Sequence, residues 1–210
     1  NRAISERYPP GSTFKVITTA AALQAGMTED EQLTAAPRIP LPNSTATLEN
    51  YGGTACGDGP TAPLREAFER SCNTAFVELG IRLGGNAIRE TAGAFGFDSP
   101  PAPIPLEVAE STVGPMSDGA AVGMSSMGQK DVAVTPLQNA MVAAAIANDG
   151  VLMQPYLVDR LEGPDLAEIS STAPAEQGRA VTAQVAAKLT DLMIGAEKFT
   201  QQNGAIPGVQ

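Results

Sequence analysis

Apolar residues recur at helical spacing in five stretches of the chain, and each stretch predicts one or two helices. The stretches are residues 12–26, 64–83, 86–95, 135–150 and 181–193. The second stretch is predicted to form two helices that meet near Ser71. The fourth begins at Thr135-Pro136, because Thr caps a helix and Pro fits its first position. Residues 151–161, which follow the fourth stretch, predict a strand.

The segments between these helices are rich in turn-forming residues. Residues 34–63 and 98–135 contain many of the prolines and glycines, which predicts loops, with short strands at most in the first of them. The chain has 21 glycines and 17 prolines among 210 residues, a share below that of disordered sequences. The length fits one folded domain.

The composition excludes several kinds of chemistry. The chain has no histidine, so a Ser-His-Asp triad, a Cys-His pair and a His-ligated zinc ion are all excluded. A formal net charge of -10 and the lack of a Lys/Arg cluster argue against nucleic acid as a partner. The mainly apolar stretches are too short to cross a bilayer. Because neither a signal peptide nor an initiator Met precedes Asn1, we expect the chain to start inside a longer protein.

A serine and a lysine at the start of the first predicted helix have the spacing of a nucleophile and its base. Ser12 and Lys15 are three positions apart, so they lie on one face of a helix. A Lys amine whose pKa is lowered by burial can take the proton of a Ser hydroxyl. Ser12 is also predicted to be the N-cap of the helix, where backbone N–H groups favour a developing negative charge. The alternative is that Ser12 is only a cap and Lys15 an exposed lysine.

A second motif, Ser71-Cys72-Asn73, falls at the predicted junction of two helices. There it would present a hydroxyl and an amide to the first motif. The alternative is a Ser71 that caps a helix, with Asn73 a nearby polar residue. Each motif alone is a weak signal, but their occurrence together in this order is a much stronger one.

The two motifs together resemble the first two active-site motifs of the penicillin-binding proteins. The matching segments, in the order that the family has them, are residues 8–15, 50–53, 71–73, 127–129 and 135–138. The resemblance covers nearly the whole chain, and it is strongest to the class B transpeptidases of actinobacteria. It implies an α/β (α+β) fold of the penicillin-binding protein and serine β-lactamase type, with a helical part and an antiparallel sheet that is incomplete in this chain.

The third family motif, Lys-Thr/Ser-Gly, is absent, because none of the lysines is followed by Thr or Ser. Residues 204–210 resemble the segment that leads into the strand carrying that motif. We therefore expect residues 1–210 to be a fragment of a transpeptidase domain. It would lack the N-terminal module and the C-terminal Lys-Thr-Gly strand and helix.

The resemblance also implies acyl transfer on peptidoglycan stem peptides that end in D-Ala-D-Ala. Ser12 would attack the penultimate carbonyl with Lys15 as general base. Ser71 would pass the proton to the leaving amine, while Asn73 would bind the substrate's peptide carbonyl and help to hold Lys15. β-lactams would acylate Ser12. No cofactor or metal is expected.

The family's location follows from the same resemblance. We expect the domain at the extracytoplasmic face of the cell membrane, anchored by an N-terminal helix outside this chain, with divisome or elongation proteins as candidate partners. That compartment permits disulfides. Cys56 and Cys72 allow one intramolecular pairing, and we favour this disulfide over two free buried thiols.

Other functions share parts of this pattern. A D,D-carboxypeptidase uses the same first two motifs. A class A β-lactamase also needs Glu-x-x-Leu-Asn, and a class D β-lactamase or β-lactam sensor domain usually relies on a Trp; the chain contains neither. A peptidoglycan-binding module without catalysis is the non-enzymatic alternative.

Overall fold

Helices and short antiparallel strands make up the chain, and the computed structural model describes residues 1–100 and 104–202. Within them lie the α-helices α1 (Arg2–Ser5), α2 (Lys15–Gln24), α3 (Leu64–Glu69), α4 (Asn73–Leu83), α5 (Gly85–Ala94), α6 (Gly119–Ser126), α7 (Pro136–Ala147) and α8 (Ala183–Gln202). The strands are β1 (Gln32–Thr34), β2 (Arg38–Pro40), β3 (Thr47–Glu49), β4 (Thr61–Pro63), β5 (Val151–Met153), β6 (Arg160–Glu162), β7 (Glu168–Ser171) and β8 (Glu176–Arg179). They pair antiparallel as β1 with β4, β2 with β3, β5 with β8 and β6 with β7. This is the expected mixed α/β architecture.

Most of the predicted helices are confirmed. The stretch 64–83 forms α3 and α4, which are separated at Ser71, and the first, third and fourth stretches contain α2, α5 and α7. Thr135 caps α7 as predicted, because its Oγ1 accepts a hydrogen bond of 3.1 Å from the backbone N–H of Gln138. Residues 34–63 contain only short strands and a 3₁₀ turn, Tyr51–Gly53, as expected.

Three predictions are corrected by the structure. The segment 98–135 is not all loop, because it contains α6, whose small residues gave no helical pattern. The strand predicted at 151–161 is not continuous: β5 ends at Met153, just before Pro155, and the next strand, β6, begins at Arg160. The helix predicted at 181–193 continues nine residues further, to Gln202.

Helix α2 lies at the centre of the core. Eight of its ten residues are buried, so it is surrounded by protein on nearly all sides. One side packs in a cluster with residues of α5, α7 and α8, among them Ile88, Val142 and Leu189. The opposite side contacts a second cluster, built mainly from α3 and α4, which includes Leu64, Phe76 and Leu79. The element that begins at Lys15 is therefore held rigidly.

Ser126 fastens three helices to one another. Its Oγ lies 2.8 Å from the backbone oxygen of Phe76 on α4 and 2.6 Å from that of Gly123 on α6, and its one proton is shared between them. Its own backbone oxygen accepts a hydrogen bond of 2.7 Å from Thr18 Oγ1 on α2. Gly80 allows this close packing, because a Cβ there would collide with the Ser126 side chain. The register between α2 and α4 is fixed by these contacts.

None of the helices in the described part of the chain is both long enough and apolar enough to cross a bilayer.

Candidate active site

Lys15 brings the two sequence motifs together. Its Nζ donates hydrogen bonds to the backbone oxygen of Ser71 at 2.7 Å, to Ser71 Oγ at 3.1 Å and to Asn73 Oδ1 at 2.8 Å. Only 2% of the Lys15 surface is exposed, which excludes the alternative of an exposed surface lysine. Three of the four predicted site residues are therefore in direct contact.

Ser12 lies in a 3₁₀ turn, Gly11–Phe14, that leads directly into α2. The prediction that Ser12 is an N-cap is wrong, because Pro10 precedes the turn and Phe14 holds the N-cap position of α2. Residues three apart in a 3₁₀ turn are eclipsed, so Ser12 and Lys15 share one side of the turn more closely than they would in an α-helix. Among the residues that the structure describes, Ser12 Oγ has no hydrogen-bond partner, and the residue is exposed.

Gly128 holds the turn of Ser12 in place. Its backbone oxygen accepts a hydrogen bond of 3.0 Å from the N–H of Gly11. Its φ of +75° is in the left-handed region, and a Cβ at this position would collide with the oxygen of Gly11 and with Phe14. Glycine is therefore required at position 128 by both backbone conformation and space.

Burial lowers the pKa of Lys15 from 10.5 to about 7. A charged ammonium loses its hydration in the protein interior, and this disfavours the protonated form. The ring of Phe76 lies 5.4 Å from Nζ and forms part of the apolar surroundings. A neutral amine has one lone pair and two N–H donors. In this form Lys15 can keep two of its three hydrogen bonds as donor, and its lone pair is available to accept a proton near neutral pH.

Ser71 has a strained backbone. Its φ of +55° is unusual for a residue other than glycine and costs on the order of 1–3 kcal/mol. The helix-cap alternative is excluded, because the N-cap of α4 is Cys72. Instead, both oxygens of Ser71 contact Lys15. Residues in such conformations are enriched at functional sites.

Asn73 is the first residue of α4, and both ends of its side-chain amide are engaged. Oδ1 accepts from Lys15, and Nδ2 donates to the backbone oxygen of Glu49 at 3.2 Å. One N–H of the amide is left for another acceptor.

Cys56 and Cys72 form the predicted disulfide, with their Cα atoms 5.8 Å apart. Both residues are buried, and Cys72 lies between the two motif residues that contact Lys15. The bridge joins the loop after the 3₁₀ turn Tyr51–Gly53 to the start of α4. It thereby limits the movement of the Ser71–Asn73 turn.

Removal of this disulfide is expected to destabilise the protein without removing a group that contacts Lys15. The bridged residues are 16 apart in sequence, and closing a loop of that size contributes about 3 kcal/mol. For the double variant Cys56→Ser, Cys72→Ser of the full-length protein we expect the free energy of unfolding to fall by about 2–4 kcal/mol in urea denaturation. The reduced parent protein serves as the control. Equal stability of the oxidised parent and the variant would contradict the prediction.

A comparison with known families decides what kind of domain this is. The model of the penicillin binding protein transpeptidase domain matches residues 1–210. The chain belongs to this transpeptidase family.

Named relatives agree with the assignment. The chain is 72% identical over all 210 residues to peptidoglycan D,D-transpeptidase PbpA of Mycobacterium tuberculosis and 69% identical to PbpA of Mycolicibacterium smegmatis. It covers 43% of the length of each, so it spans less than half of these transpeptidases. The resemblance to penicillin-binding proteins of actinobacteria is confirmed.

Solved structures of the family share the fold. Penicillin-binding protein A of M. tuberculosis, in its imipenem acyl-enzyme complex, superposes on the whole chain with a TM-score of 0.94 and 72% identity, and the chain covers 48% of it. The D,D-transpeptidase domain of a peptidoglycan glycosyltransferase from Eggerthella lenta matches 99% of the chain with a TM-score of 0.85 and 31% identity, and the chain covers 53% of it.

Some groups of this candidate site have no signature in the sequence. The backbone oxygens of Ser71 and Glu49 are hydrogen-bond acceptors, and every residue type carries such an oxygen. Gly128 and Asn50 lie in segments that only the resemblance to the family singles out, and the sequence assigns no function to either residue. In the described ranges, no group of three or more Cys, Asp or Glu residues is placed to hold a metal ion.

Proposed function

We propose that the chain is part of a serine D,D-transpeptidase domain that cross-links peptidoglycan stem peptides through an acyl-enzyme on Ser12. The observation that carries this proposal is the buried Lys15, which contacts Ser71 and Asn73 and lies one 3₁₀ turn from Ser12. The PbpA relatives, which are named peptidoglycan D,D-transpeptidases, support it. So does the acyl-enzyme that the structural neighbour forms with imipenem.

In the acylation step, Ser12 Oγ attacks the carbonyl carbon of the penultimate D-Ala and its proton passes to the neutral amine of Lys15. A pKa of about 7 makes this amine available near neutral pH. The C–N bond to the terminal D-Ala then breaks, and the leaving amine takes up a proton. An ester on Ser12 and free D-Ala result.

Ser71 is proposed to carry the proton from Lys15 to the leaving amine. Its Oγ is 3.1 Å from Lys15 Nζ, so a hydroxyl there can accept a proton from the lysine while it gives its own to the substrate. Asn73 is proposed to bind the substrate's peptide carbonyl with the N–H that Glu49 leaves available. In the second half-reaction an amine of a neighbouring stem peptide attacks the ester and releases Ser12.

A β-lactam is proposed to acylate Ser12 in the same way, since its strained amide takes the place of the D-Ala-D-Ala bond. The group that binds the substrate carboxylate is proposed to lie outside this chain, because no Lys-Thr/Ser-Gly sequence occurs in residues 1–210. The domain is thus proposed to be completed by further strands and a helix of the full-length protein.

The cellular setting is proposed on the same basis. The substrate lies outside the cytoplasm, and the disulfide suits an oxidising compartment. We propose that the full-length protein is anchored at the outer face of the membrane, with divisome or elongation proteins as partners.

The full-length protein with a donor stem peptide ending in D-Ala-D-Ala and an acceptor stem peptide tests the proposal. We expect mass spectrometry to detect free D-Ala and a cross-linked dimer, both abolished by prior treatment with penicillin. D-Ala release without a dimer would instead support a D,D-carboxypeptidase. Rapid turnover of penicillin would support a β-lactamase, and no reaction at all would support a peptidoglycan-binding module.

A further inference from the structure

Asn50 is a buried amide close to the site, and all of its hydrogen-bonding capacity is used. It follows β3, and only 6% of its surface is exposed. Its Nδ2 donates to the backbone oxygens of Ala36 and Thr54, at 3.3 and 3.0 Å. Its Oδ1 accepts from the backbone N–H and the hydroxyl of Thr74, at 3.0 and 3.2 Å. An amide with two donors and two lone pairs can make no more.

The peptide group that joins Glu49 to Asn50 is also fixed. Its N–H donates to the backbone oxygen of Pro37 at 3.0 Å. Its oxygen, that of Glu49, accepts from Asn73 Nδ2 at 3.2 Å. Asn50 is therefore connected to both sides of Asn73. The Glu49 oxygen, which belongs to the peptide bond between Glu49 and Asn50, accepts from the Asn73 side chain. Asn50 Oδ1 accepts from the backbone N–H of Thr74, the next residue along α4.

These contacts determine which end of the Asn73 amide faces Lys15. With Nδ2 held by the Glu49 oxygen, Oδ1 must point to Lys15 Nζ, 2.8 Å away. A rotated amide would place its oxygen against the Glu49 backbone oxygen, and because neither atom carries a proton, that hydrogen bond would be lost.

We propose that Asn50 is a positioning residue of this site, which acts through the Glu49 oxygen and the start of α4 to keep Asn73 Oδ1 on Lys15. The inference rests on the proposed function for its kinetic readout. The contact between Asn73 Oδ1 and Lys15 can also be followed by spectroscopy, without any reaction.

Thr74 offers a matched control for a merely structural contribution. Its hydroxyl oxygen lies 3.2 Å from Asn50 Oδ1 and 2.8 Å from the Ala36 oxygen, so its single proton is shared between these two acceptors, and the residue is fully buried. Thr74→Val removes this shared hydrogen bond from the same cluster. It keeps the Thr74 backbone N–H on Asn50 Oδ1 and leaves the contact between Glu49 and Asn73 intact.

The experiment compares Asn50→Ala, Asn50→Asp and Thr74→Val in the full-length protein. Their acylation by a chromogenic β-lactam is followed as a function of pH. For Asn50→Ala we expect a maximal rate about 10–100-fold lower, since a displaced catalytic group costs that much, and a pH inflection below that of the parent. Loss of an acceptor on the ammonium favours its deprotonation. Asn50→Asp keeps an acceptor for the Thr74 N–H but loses both donors to the Ala36 and Thr54 oxygens, so it should regain only part of the rate. Thr74→Val should keep the parent's profile.

A second measurement separates this inference from the proposed function. The titration of isotope-labelled Lys15, assigned by its disappearance in Lys15→Met, should move in Asn50→Ala and stay unchanged in Thr74→Val, whether or not the protein is acylated. The inference is overturned if the Lys15 titration and the rates of Asn50→Ala equal those of the parent. It is also overturned if Thr74→Val reproduces both changes. Failure of the proposed function would appear instead as a parent protein without an adduct on Ser12.

Discussion

Replacing Ser12 with alanine is expected to abolish the covalent adduct that penicillin forms with the full-length protein. Ser12 is exposed, so a ligand can reach its hydroxyl, and it lies in the 3₁₀ turn that leads into Lys15, the proposed base. Without this oxygen no ester can form, and we expect acylation to fall by more than about 10⁴-fold. Intact-mass spectrometry followed by peptide mapping measures the adduct and its position.

Thr13→Ala is the matched control for this experiment. Thr13 is the neighbouring exposed residue, and its hydroxyl donates to the backbone oxygen of Pro10 at 2.9 Å within the same turn. We expect this variant to be acylated at close to the parent's rate. An adduct that persists in Ser12→Ala, or that maps to another residue in the parent, would contradict the assignment of the nucleophile.

Replacing Lys15 is expected to produce the second largest effect. Arginine keeps the positive charge but does not release its proton, and methionine is similar in size but has no amine. Each variant should slow acylation by the 10²–10⁴-fold that is typical of a lost general base. Rapid-mixing measurements with a chromogenic β-lactam give the rate, and Lys198→Arg, an exposed lysine on α8, is the control.

The pH dependence gives an independent test of Lys15. Its pKa is lowered to about 7, and the neutral amine is the proposed general base, so the acylation rate of the parent should rise as pH increases through this value. Both variants should lack this inflection. The folded protein also binds fewer protons at Lys15 than the unfolded chain does between about pH 7 and 10.5, so stability should increase with pH over this interval. A variant that keeps the rate and the inflection would show that another group is the base.

The sequence predicted those elements whose signals are local. Thr135-Pro136 identified the start of α7, because capping depends on adjacent residues. Helix α6 was missed because its small residues are typical of loops, and it is helical because they allow close packing against α4. The strand predicted at 151–161 is too long, because the apolar pattern does not take into account that Pro155 has no N–H for strand pairing.

The candidate site was predictable to a similar degree. Ser12 and Lys15 were identified from their spacing, which the 3₁₀ turn preserves even though Ser12 is not the helix cap. Ser71 and Asn73 are distant from Lys15 in sequence; their place at a predicted helix junction suggested a relation to the first motif, and the resemblance supplied their roles. The positive φ of Ser71 and the acceptor oxygen of Glu49 belong to the backbone, so no sequence motif encodes them.

The tight contact between Gly128 and the turn of Ser12 has a consequence for antibiotic resistance. Any side chain at position 128 would push against the Gly11 oxygen and displace the turn that holds Ser12, the proposed nucleophile. The natural substrate and the drug would use the same displaced oxygen, so such a mutation would impair both reactions together. Under the proposed function, selection for resistance therefore gains nothing at this position, and escape mutations are expected where the drug and the stem peptide differ in shape.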